Sequence, residues 1–257
     1  MTRRFAIFAA PGSGPADVSA TVSTGTLLRE RAEQWLGRGT AGNPVTPGVP
    51  DGWTRAAVDA MTTDARRYGF HGTLKPPFRL AEGHTAEELD AAVARFAAGT
   101  AGALVPRLTL ARLGGFFALV PGTEAPELDA LADEVVKGFD DFRAPPTEAE
   151  LARRNPASLT PRQRELLTAW GYPYVLDEFR FHLTLTDRLP EREWPVVERV
   201  LSDWFAPLLG VTVPVDALAV FTEAEPGAPF TLSAVHQLRP ATASPRAADP
   251  TDREGAR

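Results

Sequence analysis

The chain reads Phe-His-Gly-Thr-Leu at residues 70–74 and Phe-His-Leu-Thr-Leu at residues 181–185, two copies of the pattern Phe-His-x-Thr-Leu. Only four histidines occur in the 257 residues, and two of them stand in this shared setting, 111 residues apart. In an extended strand, side chains two positions apart lie on the same face. Each copy therefore presents an imidazole and a hydroxyl on one surface, which predicts half of an anion site.

The residues around the second copy alternate between apolar and polar from Phe179 to Thr186, which is the pattern of a half-buried strand. Arg180 falls on the same face as His182 and Thr184. We therefore expect this strand to present a cation together with the imidazole and the hydroxyl.

The first copy follows the same alternation, with His71, Thr73 and Lys75 on one face of the predicted strand. Pro76-Pro77 comes next, and we expect this pair to end the strand because proline cannot donate to a sheet ladder. Lys75 is the cation on the polar face of the first copy, and Arg180 is the corresponding cation of the second copy. Both cations are candidate substrate-binding residues.

The other two histidines are interpreted as structural. His84 precedes Thr85-Ala86-Glu87-Glu88, a capping box that opens a helix. His236 lies near the end of the last predicted strand and has no threonine two positions later.

Composition narrows the classes of function. A net charge of −6 and a pI near 5.3 argue against a broad nucleic-acid surface, which would require a basic face. The chain has no cysteine, hence no disulfide, thiol nucleophile or thiolate metal site. No apolar run reaches the length of a membrane span, and we expect a cytoplasmic protein without a membrane partner.

The order of predicted strands and helices indicates an α+β fold, with two similar lobes around a central cleft and helices outside. One domain is expected over residues 1–238, with a helical insertion at about 142–178. Residues 239–257 are rich in proline, alanine and charge, which predicts a disordered tail.

The insertion is rich in arginine and is a candidate lid over a second anionic group, although a solvated helical face explains most of these arginines. Capping residues place two short helices in it, the first after Thr147 and the second between Thr160 and Gly171. Arg143, Tyr172 and Tyr174 are its candidate substrate-binding residues.

Two imidazoles on opposite walls of a cleft can divide the proton transfers of phosphodiester cleavage. One imidazole takes a proton from water and the other gives one to the leaving oxygen. Threonine hydroxyls can donate to phosphate oxygens. The sequence offers no His-x-His or His-Glu-x-x-His zinc motif and no Gly-x-Ser-x-Gly nucleophile elbow.

Paired His-x-Thr motifs on two strands resemble the signature of the 2H phosphoesterase superfamily, which has the LigT-like fold. Residues 66–78, 112–116, 159–174 and 179–185 resemble a bacterial branch of it that is associated with phosphonate metabolism. The resemblance implies that His71 and His182 are the general acid–base pair and that Thr73 and Thr184 contact the phosphate. It also implies opening of a cyclic phosphate or of a 2′–5′ linkage, without a metal or cofactor.

The leading hypothesis is a cyclic phosphodiesterase that acts on a small phosphorylated ribose, such as 5-phosphoribosyl 1,2-cyclic phosphate. A second hypothesis is a non-catalytic module that binds a cyclic nucleotide or an RNA end. A third is RNA 2′–5′ end processing or ligation, which would need a continuous basic track towards the cleft.

Overall fold

Nine strands and eight α-helices make up the fold in a computed structural model, which describes residues 3–13 and 23–241. The strands are β1 (Arg4–Ala9), β2 (Gly72–Phe78), β3 (Ala103–Val105), β4 (Thr109–Leu113), β5 (Phe116–Val120), β6 (Leu183–Thr184), β7 (Val213–Val215), β8 (Ala217–Glu223) and β9 (Phe230–Gln237). The α-helices are α1 (Thr24–Leu36), α2 (Arg55–Ala60), α3 (Thr63–Tyr68), α4 (Ala86–Gly99), α5 (Pro126–Gly138), α6 (Glu148–Arg153), α7 (Pro161–Trp170) and α8 (Trp194–Phe205).

Seven of the strands form one antiparallel sheet in the order β4-β5-β6-β2-β1-β8-β9, and β3 pairs with β7 in a separate ribbon. The sheet has two halves, β4-β5-β6 and β2-β1-β8-β9, which meet where β2 pairs with β6 through Gly72 and Leu183. The predicted α+β class is confirmed. The two motif strands are the innermost strands of their halves.

The two faces of the sheet differ in what covers them. Alternate residues such as Ile7, Leu74 and Leu183 face the main core, which the helices complete with side chains such as Trp35 and Val135. On the opposite face a smaller aromatic cluster gathers around Phe8, Phe221 and Phe230. Because His71 stacks on Phe8, the motif side chains lie on this second face, away from the main core.

The helix ends follow the predicted caps. In α4, α6 and α7 the threonine before the helix accepts a hydrogen bond from the third residue, whose Glu or Gln side chain bonds back to the threonine backbone. Gly171 ends α7 in the left-handed conformation at φ 72°, which glycine adopts without steric cost. The two predicted helices of the insertion are therefore confirmed.

Two strand predictions were wrong at their ends. Pro76 and Pro77 do not stop the first motif strand, because β2 runs through both to Phe78. They lie where the pairing with β1 shifts register, an irregular stretch that tolerates the missing proline N–H. The second motif strand is only Leu183–Thr184 rather than eight residues.

Arg239, one residue beyond the predicted domain boundary at residue 238, pairs with Ala101. The rest of the predicted tail, residues 242–257, lies outside the described residues. Of the helices in the described ranges, none is both long and apolar enough to cross a bilayer.

Candidate functional site

The two His-x-Thr motifs meet at the join between the halves of the sheet. Gly72 and Leu183, the middle residues of the two motifs, are directly paired in an antiparallel register. This register places His71 across from Thr184 and His182 across from Thr73, on the same face of the sheet. Two motifs far apart in the chain thus form one local cluster with approximate twofold symmetry.

Hydrogen bonds fix the orientation of the His71 ring. Its Nδ1 lies 2.9 Å from the carbonyl oxygen of Gly69, so Nδ1–H is the donor and Nε2 carries the lone pair. Nε2 lies 3.1 Å from the hydroxyl of Thr73, which donates to it. The ring stacks on Phe8 at 4.0 Å between centroids and faces Tyr68 at 5.7 Å.

His182 repeats this arrangement. Its Nδ1 lies 2.7 Å from the carbonyl oxygen of Arg180, again two residues earlier in the chain. Nε2 is therefore free of the proton in the neutral ring. The imidazole is half-buried, and its ring centroid is 5.8 Å from that of Phe116.

Burial makes both imidazoles weak bases in the free protein. Burial lowers the pKa of His71 to about 4. The charge of His182 lowers this pKa further, whereas the hydrogen bond to Gly69 raises it. Burial also lowers the pKa of His182, against the bond to Arg180. Because the charge of His182 acts on His71, the two rings are electrostatically coupled.

An open cleft of about 550 Å³ lies over this cluster. Its lining includes His71, Thr73 and Thr184, so three of the four motif side chains reach it directly. The fourth, His182, contacts Phe116, which also lines the cleft. Although His71 is only 9% exposed, its position in the lining gives it access to a ligand.

Lys75 is not part of this cleft, contrary to the sequence-based expectation. The pairing of β2 with β1 shifts between Thr73 and Lys75, and the extra residue turns Lys75 to the opposite face. There the side chain is 2% exposed, and its ammonium donates to the carbonyl of Val136 at 2.9 Å and to Asp140 at 3.2 Å. Burial lowers its pKa to about 8, partly offset by Asp140.

The other predicted binding residues are divided between the cleft and the surface. Tyr172 lines the cleft, and burial raises its pKa. Tyr174 is 47% exposed and Arg180 is also exposed, and neither lines the cleft. Arg143 is held by both oxygens of Asp140 and lines a neighbouring cavity instead.

Sequence reasoning missed several cleft residues. Tyr68 stands three residues before His71 and lines the cleft from the end of α3. Asp187 follows the second motif, and its carboxylate accepts from the backbone N–H groups of Asp64 and Ala65 in the first turn of α3. Arg154 lines the cleft with its guanidinium over the ring of Tyr172 at 4.6 Å. Closeness to the motifs could have indicated Tyr68 and Asp187. Arg154 is one of the insertion arginines that the sequence offered together for a lid, and nothing in the sequence distinguished it from the others.

Fold and site together define an α+β protein in which two His-x-Thr motifs converge on one cleft. The chain belongs to the family described as "Protein of unknown function (DUF1045)", which matches residues 73–231. That range contains Thr73 of the first motif and the whole of the second.

Two curated relatives are named "Ribose 1,5-bisphosphate phosphokinase PhnN". The protein from Janthinobacterium sp. (strain Marseille) is 40% identical over 210 residues, which are 78% of this chain and 46% of the relative. The protein from Laribacter hongkongensis (strain HLHK9) is 37% identical over 200 residues, 77% of this chain and 45% of the relative. The chain thus spans less than half the length of these relatives.

Among solved structures, the chain is similar to E. coli LigT complexed with NADP+. The TM-score is 0.37 and the sequence identity is 14%, with 93% of this chain and 98% of the other covered.

Proposed function

We propose that this protein is a phosphoesterase of the 2H type, which opens a small cyclic phosphate by acid–base catalysis with His71 and His182. The observation that carries the proposal is the direct pairing of Gly72 with Leu183, which brings both motifs to one cleft. In both rings Nδ1–H is bound to a backbone carbonyl, so both Nε2 atoms can serve in proton transfer.

In this mechanism the oxygen of a water molecule attacks phosphorus while the bond to one ring oxygen breaks. His71 takes the proton of the water, since its low pKa keeps it neutral. His182, in its protonated form, donates its proton to the leaving oxygen. The Thr73 hydroxyl turns from Nε2 of His71 to a non-bridging oxygen when the substrate binds, which leaves Nε2 open to the water, and Thr184 donates to the other non-bridging oxygen. No metal takes part.

A phosphorylated ribose is the proposed substrate class, with 5-phosphoribosyl 1,2-cyclic phosphate of phosphonate degradation as the specific candidate. The names of the two relatives, which refer to a ribose bisphosphate, support this class. The kinase activity in those names is not part of the proposal. A phosphate-binding loop of the kinase type requires a Gly-Lys dipeptide, and the chain has none.

The experiment is to incubate the purified protein with a panel of cyclic phosphates and to follow ring opening by phosphorus NMR. The panel contains ribose 1,2-cyclic phosphate with and without a 5-phosphate, and 2′,3′-cyclic nucleotides. Turnover that persists in EDTA is expected. Turnover abolished by the chelator would overturn the metal-independent mechanism, and tight binding without turnover would favour the non-catalytic module.

A further inference from the structure

A second cavity, of about 240 Å³, lies beside the cleft. The two share Arg4, Tyr68, Pro77 and Arg154 in their linings, so a single ligand can extend from one into the other. A water molecule occupies about 30 Å³ in the liquid, so this cavity has room for a phosphate group with some hydration. Six arginines line it: Arg4, Arg67, Arg79, Arg143, Arg153 and Arg154.

Four of these arginines are paired with carboxylates in the structure. Arg4 and Arg67 share the buried Glu223, whose two oxygens they contact. In addition, Arg79 pairs with Glu150 and Arg143 with Asp140. These pairs hold the guanidinium groups in place, and Glu150 is the one carboxylate of the lining itself.

Arg153 and Arg154 differ from the other four, because neither has a carboxylate partner in the part of the chain that the structure describes. Arg154 lies over Tyr172 and lines both cavities. Both arginines stand at the end of α6, which Glu150 ties to Arg79 just beyond β2. The cavity therefore carries positive charge that an anion can neutralise.

We infer that this arginine-lined cavity binds a second phosphate, a monoester that the substrate carries in addition to its reacting cyclic phosphate. The inference rests on the proposed function, and it names the group that selects the substrate. A phosphate monoester fits because it carries close to two charges and accepts several hydrogen bonds, which the fork of a guanidinium matches. Arg154 lies between the two phosphates.

The first test compares ring opening of ribose 1,2-cyclic phosphate with and without a 5-phosphate. The parent protein should prefer the phosphorylated substrate in kcat/KM by about a hundredfold, because binding energy from a remote group contributes to transition-state stabilisation. In Arg153→Ala/Arg154→Ala this preference should fall at least about tenfold, as expected for lost charge-assisted hydrogen bonds. Arg153→Ala alone should lower the preference for the phosphorylated substrate in part. Because Arg153 is exposed, this single variant should fold, and it can be used if the double variant does not.

Arg162→Ala is the matched control. Arg162 lies in α7 of the same insertion, pairs with Asp177 on the surface and lines neither cavity. It should keep the full preference. Equal kcat/KM for both substrates in the parent, or an unchanged preference in the double variant, would overturn the inference.

A second test does not depend on turnover. Isothermal titration with ribose 5-phosphate should show binding to the parent and to Arg162→Ala, and affinity at least about tenfold weaker in Arg153→Ala/Arg154→Ala. If no cyclic phosphate is opened but this difference is found, the proposed function fails while the second phosphate site stands. Equal affinity for ribose 5-phosphate in the parent and the double variant would contradict the inferred second phosphate site.

Discussion

Gly72 lies directly opposite Leu183, and this pairing joins the two halves of the sheet. A Cβ on residue 72 would come within 2.5 Å of the Phe181 ring, so glycine allows the two motif strands to approach this closely. The approach brings the imidazole of each motif next to the threonine of the other. The following predictions depend on this arrangement.

Removing either motif histidine should abolish catalysis without unfolding the protein. His71→Ala and His182→Ala should each lower kcat by about 10²- to 10⁴-fold, the usual contribution of a general acid or base. His84→Ala is the control. His84 lies just before α4, packs against Phe142 and is outside the cleft. Circular dichroism checks the fold, and near-parental turnover in either motif variant would contradict the assignment.

The two motif threonines should contribute through their hydroxyl groups. Thr73→Val and Thr184→Val should each lower kcat/KM by about 10- to 100-fold, because a hydrogen bond to a charged phosphate is lost. Thr73→Ser and Thr184→Ser keep the hydroxyl and should keep most of the activity. Thr222→Val, in a strand away from the cleft, is the control. Equal losses in the serine and valine variants would argue for a packing role.

The dependence of kcat/KM on pH should be bell-shaped with an acidic maximum. His71 must be neutral to act as base, and its pKa of about 4 sets the acidic limb. His182 must be protonated to act as acid, and burial places its pKa below the ordinary value of about 6.5. The maximum therefore lies below about pH 6.5, and a profile that rises up to pH 8 would contradict the assigned roles.

Stability should fall as the pH is lowered from about 6.5 to about 4. The pKa of His71 is about 4 when folded and about 6.5 when unfolded, so in this window the unfolded chain binds more protons. The contribution of the neutral, buried ring is complete above pH 6.5, and about 3 kcal/mol is lost by pH 4. Urea unfolding of the parent and of His71→Asn between about pH 4 and pH 6.5 measures this change in the free energy of unfolding. The variant should lose less stability, and identical pH dependence would contradict the prediction.

Lys75→Met should reduce stability and leave turnover nearly unchanged. The substitution removes the hydrogen bond to the carbonyl of Val136 and one partner of Asp140, which keeps Arg143. The expected loss is about 1–3 kcal/mol in the free energy of unfolding. Chemical denaturation and steady-state kinetics separate the two effects. A stable Lys75→Met variant with strongly reduced turnover would contradict the prediction and indicate that Lys75 takes part in substrate binding.

Local signals predicted the helices well and the strand ends poorly. A cap such as Thr160 or Gly171 acts within one turn of its helix, so its effect can be read from neighbouring residues. The course of β2 through Pro76 and Pro77 depends on its register with β1, which is about seventy residues away in the chain. The same register turns Lys75 away from the cleft, against the simple alternation.

The residues of the chain alone indicate the four motif side chains, their pairing on a strand face and the α+β class, because these follow from spacing and from contacts within a few positions. Tertiary structure decided the rest. The register between β2 and β6 places the motifs on one cleft, and a bulge removes Lys75 from it. The ion pair of Glu150 in α6 with Arg79 holds Arg153 and Arg154 at the second cavity. Such placements arise from contacts between residues distant along the chain, which no local pattern encodes.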